Sequence, residues 1–117
     1  MYGLLLAWSL VATAQALAGA VSGTVKNNAG TGVANAQVLA QQNGTTVNSG
    51  VTDANGNFQI NALPAGTYTL VVNNQWTNQA GTQQTATGFD GTTASVTVPN
   101  TVTVTGGQTT SGVTITD

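Results

Sequence analysis

The chain has 117 residues, enough for one domain, and carries one cation and three acidic side chains, for a formal net charge of −2. This composition disfavours nucleic-acid binding, because phosphate neutralisation needs clustered lysine or arginine. Histidine, cysteine, glutamate and arginine are absent from the sequence, so the usual general bases and activated nucleophiles are missing. We therefore expect no enzymatic activity, no cofactor and no metal ion.

The first predicted element is an apolar helix. Residues 1–25 contain no charged side chain, and residues 3–12 are apolar on every face of a helix. As a helix, residues 1–18 would be about 27 Å long, since each residue adds about 1.5 Å. Gly19 is placed to end this helix, because glycine is common just past a helix C-terminus. A helix that is apolar all round has to be buried, so its function depends on what buries it.

We predict that residues 1–20 form an assembly helix, which packs against the same helix of other subunits. Small residues recur four positions apart, as at Ala12, Ala16 and Ala20, and this spacing lets apolar helices approach closely. The larger apolar side chains project around the remaining faces. The residues assigned to assembly are Leu4, Leu5, Leu6, Ala7, Trp8, Leu10, Val11, Ala12, Ala16 and Leu17.

Two other fates of this segment remain open. Residues 4–11 can serve as the hydrophobic region of a signal peptide that is cleaved after Ala18, although no lysine or arginine precedes them. Alternatively, the helix anchors the chain in a bilayer. It is just short of the hydrocarbon thickness, however, and the polar residues Ser9, Thr13 and Gln15 interrupt it.

Residues 21–117 are predicted to form a β-sandwich domain, because strand and turn signals alternate along them. Val and Ile alternate with Thr in several short runs, which indicates a mainly β fold and an antiparallel, immunoglobulin-like or transthyretin-like sandwich of about seven strands. We expect the second strand and the strand of Tyr68 to supply much of the core. The predicted strands are 21–26, 36–41, 47–52, 57–60, 67–72, 94–98, 102–105 and 112–116.

The sequence Asp53-Ala-Asn-Gly56 predicts a hairpin between the strands on either side of it, because Asn-Gly accepts positive φ. With Asn57 it also resembles a calcium loop, since oxygen ligands recur at alternate positions. It lacks the later bidentate carboxylate of such a loop, and the turn explains Gly56. We therefore assign this sequence a structural role.

The segment 73–99 is long for a connection and carries Trp76 and Phe89 among Thr, Gln and Gly. It is either a loop or an added hairpin. Its aromatic side chains either cover an end of the core or contact a neighbouring subunit or a ligand such as a glycan. A separate candidate for glycosylation is Asn43, which lies in the sequon Asn43-Gly-Thr45.

Three motifs in order resemble the carboxypeptidase regulatory-like domain, a transthyretin-like β-sandwich. The closing sequence from Val102 to Ile115 is similar to the last two strands of that family. The resemblance implies a sandwich fold and a non-catalytic role as a spacer, adhesion or scaffolding unit of secreted and surface proteins. The motifs are Gly23-Thr-Val-Lys-Asn-Asn-Ala-Gly-Thr-Gly-Val-Ala-Asn-Ala-Gln-Val38, Val51-Thr-Asp-Ala-Asn-Gly-Asn-Phe-Gln-Ile60 and Leu63-Pro-Ala-Gly-Thr-Tyr-Thr-Leu70.

These observations favour the structural subunit of an extracellular, pilus-like filament. Apolar helices would pack along the axis of a helical homopolymer, and the sandwiches would form the outer sheath. This two-part plan resembles that of archaeal type IV pilins. The expected partners are copies of the chain, with surface glycans or other cells as further contacts and a membrane only before assembly. The alternative is a secreted or membrane-anchored binding or adhesion module, in which residues 1–18 are a signal peptide or an anchor.

Overall fold

The structure, a computed structural model, describes residues 17–90 and 95–117, with the backbone alone for residues 95–100. Within these residues there are nine strands and no helix. The strands are β1 Gly19–Lys26, β2 Gln37–Gln42, β3 Thr45–Val51, β4 Asn57–Leu63, β5 Gly66–Asn73, β6 Gln75–Thr77, β7 Gln83–Thr85, β8 Ser95–Val104 and β9 Thr109–Thr116.

Seven of these strands form the two sheets of a β-sandwich, which confirms the predicted mainly β sandwich, whereas most of the predicted N-terminal helix lies outside the described residues. One sheet has the order β4-β1-β9 and the other β3-β2-β5-β8, while β6 and β7 form a separate two-stranded ribbon. The expectation of a fully antiparallel arrangement is wrong at one pairing, because β9 runs parallel to β1, with Val25 opposite Ile115. The chain leaves β8 in one sheet and enters the other as β9, beside β1.

The Asn43-Gly44 turn, rather than the Asp53–Gly56 sequence, forms a hairpin. Asn43 and Gly44 both have positive φ, 52° and 77°, and Gln42 lies opposite Thr45 in the β2–β3 pair. This is the two-residue type I′ connection that matches the twist of the strands. The hairpin predicted at residues 53–56 is wrong, because β3 pairs with β2 whereas β4 pairs with β1 in the other sheet. The turn at residues 53–56 therefore carries the chain between sheets.

The predicted strands 94–98 and 102–105 are a single strand, β8. Pro99 lies inside it, where the pairing with β5 shifts register between Thr69 and Val71. β8 is at the edge of its sheet, and proline is tolerated at edges and bulges because no ladder hydrogen bond is required of it there. The strand continues through Pro99 because the shift in register accommodates the proline.

Three turns share one geometry, at Asn27, Asp53 and Asn78. In each, the Oδ1 atom accepts hydrogen bonds from the backbone N–H groups two and four residues later, at 2.8–3.0 Å. The glycine three residues after the capping residue has a φ of 82–85° in all three turns. Because Oδ1 of Asp53 is used in this way, that carboxylate stabilises a turn, in agreement with the structural role assigned from the sequence.

The core lies between the two sheets, and β2 and β5 contribute to it as predicted, through alternate residues such as Val38 and Leu70. The Tyr68 hydroxyl donates to the carbonyl oxygen of Pro64, which gives this buried phenol a partner. The core cluster consists of Val21, Val25, Val33, Ala36, Val38, Ala40, Phe58, Ile60, Leu63, Tyr68, Leu70, Val72, Ala86, Val104 and Ile115.

β1 is the central strand of its sheet, with partners on both sides, so residues 21–25 pair within their own chain. Gly19 and Ala20, the last two residues of the predicted assembly segment, belong to this strand. Leu17 precedes it and is 71% exposed. Within residues 17–90 and 95–117, no helix has the length and hydropathy to cross a membrane.

Candidate functional site

An open groove of about 440 Å³ lies where the β6–β7 ribbon meets the outer face of the four-stranded sheet. Residues Val38 and Ala40 of β2 point into the core, so Gln37 faces outward. Ser49 and Val51 of β3 continue this outer face, and the ribbon forms the opposite wall. The lining residues are Gln37, Ser49, Val51, Trp76, Thr77, Asn78, Gln79 and Ala80.

For residues 73–99 the sequence predicted either a loop or an added hairpin. The β6–β7 ribbon is such a hairpin. Trp76 lies on β6 and is half-buried, and its indole Nε1–H donates to the carbonyl oxygen of Asn35 at 3.0 Å. The Asn35 side chain in turn donates from Nδ2 to Oε1 of Gln84 at 3.2 Å. Both strands of the ribbon are thus tied to residue 35, and the indole ring has a fixed position beside the groove.

The two aromatic residues singled out in this segment have different roles. Phe89 is partly buried and packs against the hydrophobic core, so it covers an end of the sandwich. Trp76 instead lines the groove. The remaining lining residues from β2 and β3 carry no local sequence signal, because the groove forms only when the ribbon folds over the sheet.

Two amides of the groove have their orientation set by hydrogen bonds on their oxygen atoms. Oδ1 of Asn78 accepts from the N–H groups of Ala80 and Thr82, at 3.0 and 2.9 Å. Oε1 of Gln37 accepts from Nδ2 of Asn73 at 3.2 Å. In each amide the nitrogen is left on the opposite side as a donor. None of the chain's four charged side chains lines the groove, so it offers hydrogen bonds without net charge.

A buried carboxyl group lies elsewhere, at the end of the sandwich that follows β9. Asp117 is 8% exposed, and its Oδ1 accepts a hydrogen bond from Nδ2 of Asn74 at 3.1 Å. Oδ2 is also buried and has no hydrogen-bond partner in the part of the chain that the structure describes. Desolvation raises the pKa of Asp117, the bond from Asn74 opposes this, and the nearby carboxylate of Asp90 adds to it.

Stability is expected to increase as the pH falls from neutrality towards 4. The pKa of Asp117 is raised in the folded chain, so the folded state takes up its proton at higher pH than the unfolded state. The stability contributed by this proton is present below the unfolded pKa of about 4 and is lost as the pH rises through the folded pKa. Urea unfolding of Asp117→Asn, which keeps an Oδ1 acceptor for Asn74, should show a smaller dependence on pH. An unchanged dependence would contradict this assignment.

The residues predicted for assembly fall mostly outside the described residues. This applies to Leu4, Leu5, Leu6, Ala7, Trp8, Leu10, Val11, Ala12 and Ala16. Leu17 is described, and its carbonyl oxygen and side chain lie beside Gly106 and Gly107 of the β8–β9 turn. Asn43 is exposed at the tip of the β2–β3 hairpin, a surface turn of the kind in which a glycan is tolerated. Its glycosylation stays a prediction.

Comparison with known proteins identifies the family of the domain and other structures with a similar fold. The profile of the carboxypeptidase regulatory-like domain family matches residues 20–116. The chain is similar in structure to BcpA, the major pilin subunit of Bacillus cereus, with 20% identity and a TM-score of 0.52, covering 86% of this chain and 29% of the pilin. It is also similar to a proposed carbohydrate-binding protein of Pseudomonas aeruginosa, with 22% identity and a TM-score of 0.53, covering 92% of this chain and 94% of that protein. At these identities the likeness concerns the fold alone. No curated protein is significantly similar in sequence.

Proposed function

Since the chain belongs to the carboxypeptidase regulatory-like domain family, a fold that dictates no chemistry by itself, we propose a structural role for it. The chain is the subunit of an extracellular, pilus-like filament, and it is not an enzyme. Its partners are copies of itself, held together by residues 1–18, and the sandwich lies on the outside of the polymer.

The observation that carries this proposal is the apolar segment that precedes a sandwich with its own core. Residues 1–25 have no charged side chain. The described core cluster of the sandwich consists of residues between Val21 and Ile115. Leu17, at the end of the apolar segment just before β1, is exposed. An apolar segment of this kind would be unfavourable in water if it were left exposed, and each Leu or Trp buried between subunits would stabilise an assembly by about 1.5–3 kcal/mol.

The likeness to the pilin of Bacillus cereus is compatible with this role, because it means that a sandwich of the same fold occurs in a pilus subunit. It supports the outer part of the proposed filament and leaves the helical part to be tested. The near absence of charge is also compatible with a polymer, because a chain with a net charge close to zero tends to associate.

Electron microscopy of the full-length chain and of the double variant Leu5→Asp, Leu10→Asp tests the proposal. The wild-type chain should form filaments, and the variant should form none, because two carboxylates would be buried without partners in the axial bundle. The control is Thr82→Asp with Thr85→Asp, which adds the same charge at two exposed positions of the β6–β7 ribbon. This control should still assemble.

Filaments formed by the Leu5 and Leu10 variant would overturn the proposal. So would monodisperse wild-type particles whose mature chain begins near Gly19, since they would identify a secreted module with a cleaved signal peptide. Particles that form only in detergent would instead identify a membrane anchor. N-terminal mass spectrometry of the native material separates cleavage from retention of residues 1–18.

A further inference from the structure

We propose that the groove between the β6–β7 ribbon and the four-stranded sheet binds a neutral saccharide. One sugar ring would stack on the indole of Trp76, and the surrounding amide and hydroxyl groups would hydrogen-bond to its hydroxyls. This binding site is separate from the apolar segment that the proposed filament depends on.

The size and openness of the groove suit a short oligosaccharide. Its volume of about 440 Å³ is within the range of about 300–1,000 Å³ that is usual for small-molecule sites. It is open to solvent along the outer face of the sheet, so a chain of sugars could extend beyond it. The lining combines an apolar part, formed by side chains such as Trp76, Val51 and Ala80, with a polar part of amide and hydroxyl groups. A purely hydrophobic ligand would leave the polar part unpaired.

The aromatic platform is held in place before any ligand arrives. The hydrogen bond from Trp76 Nε1–H to Asn35 fixes the indole, and the bond from Asn35 to Gln84 fixes the ribbon around it. A rigid aromatic face loses little conformational entropy on binding. The indole N–H is already satisfied, so the interaction left for a ligand is with the ring, which suits the C–H face of a sugar.

The polar lining has the chemistry of a sugar partner and lacks that of an anion site. Gln37 and Asn78 each engage the amide oxygen in the protein and leave the amide nitrogen as a donor. Gln79 adds a further exposed amide, and the hydroxyls of Ser49 and Thr77 both donate and accept. With no cation in the lining, a phosphate or an acidic sugar would lose its hydration without gaining an ion pair.

Isothermal titration calorimetry of the full-length chain with maltotriose, cellotriose, mannotriose and triacetylchitotriose tests this site. At least one of these neutral probes should bind with a dissociation constant in the micromolar to millimolar range. Trp76→Ala should weaken binding about tenfold or more by removing the stacking platform. Gln79→Ala should weaken it by about fivefold, the equivalent of one hydrogen bond.

The control is Gln83→Ala, which removes an exposed amide from the other strand of the ribbon and should leave binding unchanged. Gln79 is exposed and makes no hydrogen bond within the described fold that its loss would break, so this variant tests the site even if Trp76→Ala disturbs the ribbon. Absence of binding by all four probes overturns the proposal, as does equal weakening by Gln79→Ala and Gln83→Ala.

A second copy of the chain is the competing occupant of the groove. In that case Gln79→Ala and Trp76→Ala would alter filament assembly, and saccharides would not bind to assembled material. Under the saccharide proposal both variants assemble normally. Failure of the saccharide site therefore leaves the filament intact in micrographs, whereas failure of the filament leaves the titration unaffected.

Discussion

Replacing Gly56 with alanine is expected to destabilise the sandwich by about 2–5 kcal/mol, a large fraction of the unfolding free energy of a typical domain. Gly56 has a φ of 83°, which costs an alanine about 1–2 kcal/mol. A Cβ atom there would also lie 2.4 Å from the carbonyl oxygen of Val25 and 2.9 Å from Cα of Gly32. Both neighbours are backbone atoms, so the clash is relieved only by moving the turn away from β1, at a further cost of about 1–3 kcal/mol.

The repeated turn geometry provides a matched control for this prediction. Gly81 occupies the same position in the turn of Asn78, has a φ of 82°, and would place its Cβ atom in open space. Gly81→Ala should therefore show the conformational cost alone, partly offset by the lower entropy of the unfolded chain. Urea unfolding followed by circular dichroism measures both free energies. Equal losses for the two variants would show that the contact between Gly56 and β1 does not matter for stability.

These turns also show how far the sequence predicts the fold. The turn at Asp53 was predicted from the sequence, and the other two have the same local signal, an Asx residue followed three positions later by glycine. The strands that each turn connects, and the sheets to which these strands belong, could not be predicted. The turn at Asp53 joins strands of different sheets, whereas the turn at Asn78 closes a ribbon. Which strands pair depends on how the whole sandwich buries its apolar residues, and no short sequence contains that information.

The continuity of β8 and the direction of β9 also depend on the whole fold. Two strands were predicted on either side of Pro99, but β8 is a single strand, and its place at the edge of the sheet tolerates the proline. The parallel pairing of β9 with β1 had no sequence signal, since alternation of Val or Ile with Thr is the same for either direction.

For the candidate groove, sequence reasoning found Trp76 because an aromatic residue among polar ones is conspicuous. It did not find Gln37 and Ser49, which come from β2 and β3 and meet the ribbon only in the folded chain. The ribbon is an insertion between β5 and β8, and it reaches residue 35 through the bonds to Asn35. A groove between an inserted ribbon and the face of a sheet therefore cannot be predicted from local sequence, and it is found only in the folded structure.

A buried hydroxyl adds two hydrogen bonds to the junction between the segment before β2 and the end of β3, which backbone bonds of Thr52 with Asn35 and Ala36 also join. Thr52 is 5% exposed, and its Oγ1 donates to the carbonyl oxygen of Val33 at 2.6 Å and accepts from the N–H of Ala36 at 2.9 Å. Val33 and Ala36 are themselves fully buried, so neither backbone group has water as an alternative partner. The hydroxyl joins the segment before β2 to the residue that follows β3.

Thr52→Val is expected to cost about 2–6 kcal/mol, although valine has nearly the same shape and leaves no cavity. The loss arises because two buried backbone groups lose their partner, at about 1–3 kcal/mol each. Thr67→Val, the same change at an exposed position of β5, should alter stability by less than about 0.5 kcal/mol. Urea unfolding compares the two. If Thr52→Val proved as mild as Thr67→Val, the backbone bonds of Thr52 and the hydrophobic packing would hold this junction without the hydroxyl. A large difference would show that the hydroxyl stabilises the segment carrying Asn35, whose carbonyl oxygen accepts the hydrogen bond from Trp76.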